Sequence, residues 1–219
     1  MIANLPLQQK IQLTQAYNDI LHTGIFPTSW KEFLTVPIIK PGKTGKLPSD
    51  YRPIVLGNTT RKIFEKILNQ RLAFYLERNK LWPKNQYGFR RGFSTNYNLI
   101  QIVNDIHSAW LNNQMLITSL DIAKAYDSVQ LQILQDVLKE LALPNRFITT
   151  IISLMQNRII KLHPNYNNIN QRITSTGIPQ GSALSPTLFA LYIKEINNSR
   201  VWYTQISTYA DDMIIYGRI

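Results

Sequence analysis

Cysteine is absent from the chain, and there are only three histidines. Disulfides, thiolate metal sites and cysteine nucleophiles are thereby excluded, and a His-rich zinc site has too few ligands to draw on. Any metal here should be a hard cation on carboxylate oxygen. No apolar run approaches the ~18 residues that a membrane span needs, so no membrane partner is expected. The opening MIANLPLQQK lacks a basic segment leading into an apolar one, so no secretory signal is read and an intracellular protein is expected. Asn58-Thr59-Thr60 and Asn197-Asn198-Ser199 match glycosylation acceptors but carry no weight without such a signal. Repeats and low-complexity tracts are missing, and charged residues are 17%, too few for extensive disorder.

What is present is a chain of 219 residues, 44% of them hydrophobic, enough for one core or for two small subdomains sharing one. The net charge is +11. Residues 31–92 hold 14 Lys and Arg against Glu32, Asp50, Glu65 and Glu77, while the remainder is almost neutral. Charge concentrated in one contiguous third suits a polyphosphate partner, although a solvated basic face would read the same way.

Apolar spacing predicts an amphipathic helix over 7–22 and a strand at 33–39, where Pro37 implies an edge or a bend. A Gly- and Pro-rich loop follows over 40–53. Helices are expected over 61–79 and over 95–110, the second with Leu99, Ile102, Val103, Ile106 and Trp110 on its apolar stripe. Residues 115–122 read as a buried strand, and 128–142 and 146–157 as helices. Thr174–Gly181 is a short extended piece entering a Gly-Pro turn. Ser185-Pro186 reads as a helix start with serine as the cap. Residues 201–217 form a β-hairpin around Ala-Asp-Asp. This order gives an α+β chain with a split βαβ, ferredoxin-like antiparallel sheet and helices on one face.

Three acids stand in unusual company. Asp121 ends an apolar strand, and Asp211 and Asp212 adjoin each other between β-rich runs. Carboxylates beside an apolar sheet are costly, neighbouring ones repel, and a divalent cation relieves both. Ordinary turn chemistry would also account for Asp211-Asp212, and a helix cap for Asp121. Between them lies TGIPQGSALSP (176–186), whose glycines and proline make a tight turn that Gly181 leaves open to close approach. Gly42-Lys43-Thr44 imitates the end of a P-loop, but Pro37 stands where its first glycine belongs.

SLDIAKAYDSV (119–129), GIPQGSALSPTLF (177–189) and YADD (209–212) resemble motifs A, B and C of reverse transcriptases. KPGK (40–43), YRPI (51–54) and QYGFRRGFST (86–95) resemble the fingers motifs of the non-LTR retrotransposon, or LINE-like, type. The resemblance implies a right-hand polymerase: a helical extension at 1–29, fingers at 30–112, and a palm at 113–219 that includes the helical segments 128–157, with no thumb. It implies RNA-directed DNA polymerase activity, with an RNA template, a DNA primer and deoxynucleoside triphosphates as partners. Two Mg²⁺ ions, or Mn²⁺, would sit on Asp121, Asp211 and Asp212. Lys40 and Arg52 would grip the triphosphate, Tyr126 would exclude a 2′-hydroxyl, and Gln180 and Gly181 would lie beside the nascent pair. Gln86, Phe89 and Arg90 would touch template, and Asp127 is given a structural role. The resemblance alone implies nuclear action. The competing expectation is a relict that binds nucleic acid through its basic fingers without catalysis.

Overall fold

The computed structural model describes residues 4–110, 116–162, 171–198 and 204–217. The expected strand positions 115 and 201–203 therefore lie outside the described residues. The first helix, α1 (Leu7–Thr23), ends where Gly24 takes a left-handed φ of 70° and its N–H reaches the Ile20 carbonyl at 2.8 Å. α1 buries Tyr17 and Ile20, whereas Leu7 and Ile11 of its expected apolar face stay exposed. Tyr17 joins Phe26, Trp30 and Phe64 in an aromatic cluster, and its hydroxyl donates to the Thr60 carbonyl.

β1 (Glu32–Ile39) and β2 (Tyr51–Gly57) pair antiparallel, so the expected loop is shorter than 40–53 and its last residues already belong to a strand. Pro37 faces Pro53 across this ladder, and pairing on the other side of β1 stops at Thr35. Neither proline is therefore asked for a missing N–H where the sheet is continuous. α2 (Thr59–Arg78) is capped by Asn58, whose side chain accepts from the Thr60 N–H at 2.9 Å. Its Phe64, Leu68, Leu72 and Leu76, spaced at one helical face, are fully buried.

α3 (Thr95–Trp110) precedes β3 (Leu116–Asp121), and α4 (Leu131–Glu140) and α5 (Asn145–Met155) follow. Next come β4 (Arg158–Leu162) and β5 (Gln171–Thr174), then α6 (Ser185–Tyr192), α7 (Lys194–Asn198), and the hairpin β6 (Thr204–Tyr209) and β7 (Asp212–Gly217). Two sheets result, in the orders β2-β1-β4-β5 and β3-β7-β6. The first is mixed, because β1 and β4 run parallel. β4 and β5, which follow residue 113, thus complete the sheet begun by β1 and β2, so a division at 112/113 cuts through one sheet. β4 escapes a periodicity reading because it is a short apolar run directly after a helix.

The second sheet is antiparallel throughout. Met213 on one face joins the core formed with α2, α4, α5 and α6. Tyr216, on the opposite face, donates to Asp105 of α3 at 2.6 Å, so a helix covers part of that face as well. β3 is the outer strand of this sheet, and Ile117 and Leu120 remain 48% and 46% exposed, contrary to the expected buried strand. The stripe expected on α3 fares similarly. Ile102 is buried, but Leu99 and Val103 are 50% and 59% exposed. α3 instead meets the hairpin through Asn98, which accepts from Ser207, and through Asp105. Among the described residues no helix is long and apolar enough to cross a membrane.

Candidate active site

The β3–β7 register sets Asp121 directly opposite Asp212. Antiparallel partners have Cα atoms ~4.5–5.5 Å apart with side chains on one face. Asp211 is the adjacent residue, in the turn that joins β6 to β7. It lies near enough to Tyr126 that its charge helps to raise the phenol to about 12, after the larger effect of burial. Three acids separated by 90 positions of chain are thus gathered at one end of the sheet, as the motif order implies. Among the described residues no three His, Asp or Glu side chains already converge as a metal cage. The donor set itself, carboxylate oxygens with like charges facing across two strands, fits a hard divalent cation.

The motif A turn and the motif B turn are stitched together by backbone bonds. Gly177 N donates to Val129 O, and Ile178 N to Tyr126 O, each at 2.8 Å. Gly177 has φ of 73°, and a Cβ there would stand 2.8 Å from Asp127 Cα. Glycine is required by both measures. Asp127 therefore serves as a docking point in its backbone. Tyr126 stacks on Phe189 of α6, with ring centroids 5.2 Å apart and planes 21° apart. Arg158, buried beneath the turn, donates to the carbonyls of Met155, Thr176 and Gly177. Burial pulls its pKa down to about 10, aided by Arg61.

Gln180 and Gly181 lie against β2. Val55 N donates to Gln180 O at 3.1 Å, and a Cβ on Gly181, whose φ is 113°, would meet Val55 O at 2.8 Å. The next residues are held from below by a buried ion pair. Arg61 and Glu65, one turn apart on α2, meet at 2.7 Å with 1% exposure each. Glu65 also accepts from Ser182 Oγ at 2.8 Å and Ala183 N at 3.1 Å. Arg61 donates onward to the carbonyls of Trp30 and Leu154. Ser185 is not the cap of α6: its Oγ is buried without a partner, and Ser182 Oγ instead accepts from Leu184 N at 3.2 Å. α6 starts without a side-chain cap, and Ser182 closes the tight turn that leads into it.

Lys40 and Arg52 stand at the ends of β1 and β2, beside the paired residues Ile39 and Tyr51. Neither has an acidic partner in an ion pair among the described residues. The loop between them is shaped by the buried Asp50, which accepts from the N–H groups of Lys46 and Leu47 and whose carbonyl takes Lys40 N. Phe89 is 49% exposed at a φ of 60°. Arg90 makes a fork with Glu77 at 2.8 and 3.0 Å and covers the Phe93 ring. Gln86 departs from its expected place at a template: it is wholly buried, and its amide bonds to Ala210 and Gly88. A side chain so enclosed cannot touch a template. Arg61, Glu65, Asp50 and Arg158 were not singled out from sequence. The one available signal was Arg61 and Glu65 at helical spacing beside an apolar stripe, and Arg158 gave none.

Residues 38–218 match the family model described as reverse transcriptase (RNA-dependent DNA polymerase). The chain is 31% identical over 224 residues to the RNA-directed DNA polymerase from mobile element jockey of Drosophila melanogaster, covering 96% of this chain and 24% of that protein. It is 30% identical over 218 residues to the probable RNA-directed DNA polymerase from transposon X-element of the same species, covering 98% of this chain and 24% of the relative. The chain thus spans about a quarter of the length of these relatives. Telomerase from Candida albicans, solved with a fragment of telomeric RNA, superimposes with a TM-score of 0.63 at 12% identity, over 97% of this chain and 43% of that one. Telomerase from Candida tropicalis gives 0.61 at 10% identity over 97% of this chain and 44% of that one, so the right-hand polymerase architecture is shared. With the motifs in order, the paired carboxylates and a matching family model over most of its length, the chain belongs to the reverse transcriptase family, as a domain of the non-LTR retrotransposon type.

Proposed function

We propose that this chain is the part of an RNA-directed DNA polymerase that transfers deoxynucleotides to a DNA primer on an RNA template. The observation that carries the reading is Asp121 facing Asp212 in register, with Asp211 at the adjoining turn beside Tyr126. These three carboxylates would hold two divalent ions, Mg²⁺ or Mn²⁺. When bound, the ions lower the pKa of the primer 3′-hydroxyl and neutralise charge on the leaving pyrophosphate. The chain's own part is positioning. Lys40 presents a point charge and Arg52 a planar fork to the triphosphate. Tyr126, braced by Phe189, closes the space that a 2′-hydroxyl would occupy. Gln180 offers a side chain beside the nascent pair, and Gly181 supports it there by letting the turn close onto Val55 of β2. Phe89 and Arg90 lie on the template side, with Arg90 oriented by Glu77. The same reading puts the chain inside the cell, and in the nucleus by family alone.

The test places this chain in the matching region of a jockey-type relative and follows extension of a primed RNA template with Mg²⁺. Extension is expected and should fall to background with Asp211→Asn. Tyr126→Ala should admit ribonucleotides. Binding of the primed template without extension, unchanged by Asp211→Asn, would instead favour a relict that only binds nucleic acid. Extension that survives Asp211→Asn would overturn the carboxylate assignment.

A further inference from the structure

Residues 85–88 run beside β6 like a short added strand, with Thr208 N donating to Asn85 O at 2.9 Å and Tyr87 N to Thr208 O at 3.0 Å. Between these two bonds the Gln86 side chain turns inward, and it is 0% exposed. Its Oε1 accepts from Ala210 N at 3.1 Å and from Gly88 N at 2.9 Å, and its Nε2 donates to Ala210 O at 3.3 Å. Both polar groups of one residue in the Tyr209–Asp212 turn are thus held by a single side-chain amide. Ala210 has a φ of 61°, a left-handed conformation that a residue with a Cβ adopts only when its surroundings impose it. Gly88 is equally committed, since a Cβ there would fall 2.4 Å from Ala210 N.

We propose that Gln86 is a positioning residue for the catalytic turn: its amide imposes the left-handed Ala210 conformation and so sets the direction in which Asp211 and Asp212 present their carboxylates. The two acids follow Ala210 directly, so a change in its backbone angles re-aims both. The inference rests on the carboxylate reading above, but its first readout does not. An apolar side chain of the same length would fill the space equally well; only an amide satisfies the donor and the acceptor of the Ala210 backbone together. Gln86 acts through Ala210 and touches no substrate.

The experiment uses the full chain with Gln86→Met, Gln86→Glu and Asp211→Asn, and reads backbone amide exchange together with Mn²⁺ affinity. In Gln86→Met the Ala210 and Gly88 amides should exchange roughly tenfold faster, the factor expected for losing one intramolecular hydrogen bond, while α2 amides stay unchanged. Mn²⁺ should bind about 10–100-fold more weakly, as when the support of a metal ligand is removed. Gln86→Glu mimics the amide only while its carboxyl is neutral, with one O–H donor and one carbonyl acceptor. Protection at Ala210, corrected for the intrinsic exchange rate, should therefore be kept at low pH and lost as pH rises, which a mere space-filling role does not predict. If Gln86→Met does not fold, Gln86→Asn, one methylene too short to span the turn, should show the same rise at Ala210. Unchanged Ala210 exchange overturns the inference, and so does faster exchange with Mn²⁺ affinity intact. Mn²⁺ binding that is equal in wild type and Asp211→Asn would sink the carboxylate reading instead, while the exchange data still decide whether Gln86 holds the turn.

Discussion

Two populations stand out among the cations of residues 31–92. Arg61 is buried against Glu65 and three carbonyl or ring partners, and Arg90 is forked onto Glu77. By contrast, Lys40, Lys43, Lys46 and Arg52, on or beside the loop between β1 and β2, make no ion pair among the described residues. Arg61, through Glu65, braces the residues that follow the Gly-x-Pro-x-Gly turn, Arg90 is held on the Phe93 ring, and the second population has no acid to hold it among the described residues. Both of these ion pairs already cancel within the net charge, so the +10 of this segment is carried by cations outside them. The loop that carries the four cations of the second population is shaped by the buried Asp50.

Glu65→Ala should break that contrast most severely. It leaves Arg61 charged and unpaired in the interior and frees Ser182 Oγ and Ala183 N. Removing one partner of a buried ion pair costs about 3–5 kcal/mol. Urea unfolding should show a loss of that order, and the Gln180–Ala183 turn should lose amide protection even where the chain still folds. A loss under ~1 kcal/mol would mean that the network is dispensable. Replacing the pair with apolar residues of similar volume removes the lone buried charge, so its remaining cost should come from the Trp30 and Leu154 carbonyls, Ser182 Oγ and Ala183 N that lose their partners.

A charge test on the exposed group should have a smaller effect, read through affinity. Reversing Lys40, Lys43 and Arg52 together should weaken binding to single-stranded RNA and flatten its salt dependence. Each lost phosphate contact lowers the slope of log K against log salt by about 0.7. Arg90→Gln, in the group already held by an acid, should change that slope by less than one contact. Equal slopes for the two variants would erase the distinction between the populations.

Long apolar periodicities and the order of the motifs were legible. The stripe of α2, the hairpin of β6 and β7, and the carboxylates brought together across 90 positions could all be read before any coordinates. Exposure was less legible. Ile117, Leu120, Leu99 and Val103 read as core, yet among the described residues the sheet offers β3 only one neighbour, and α3 meets the hairpin through Asn98 and Asp105. Apolar spacing tells which face a residue is on and not what lies opposite it. The polar supports were the least legible. Arg158 reaches three carbonyls in two different segments, and Gln86 reaches a residue 124 positions away, so neither leaves a local pattern. Ser185 shows the opposite error: a sound local signal for a cap was overruled by the turn that Ser182 closes.

Lys31 gives the smallest expected effect and lies between the two populations. Its ammonium turns inward to the carbonyls of Ser153 and Gln156, at the end of α5, and lies 5.3 Å from the Phe26 ring centre. Burial lowers its pKa from 10.5 to about 8, with Arg61 and Arg158 contributing in the same direction. Below pH 8 the lysine is charged in both the folded and the unfolded chain, and the folded state bears the full cost of enclosing that charge. Between about 8 and 10.5 the unfolded chain keeps a proton that the folded chain has released, so this group makes stability rise with pH across that window. Tyr126 works with the opposite sign: its raised pKa makes stability fall as pH climbs beyond the usual tyrosine value. Measurements between about pH 7.5 and 9.5 stay clear of it. The quantity to follow is the difference between wild type and Lys31→Met, which keeps the apolar stem and removes the titration. Lys31 is only half-buried, so solvent screening should hold the gain of wild type over the variant below about 1 kcal/mol across the window. A flat difference would show that the two carbonyls, at the negative end of α5, keep the ammonium charged as well as water does. A difference that falls with pH would show that Lys31 is stabilised as a cation, and would move it into the same group as Arg61.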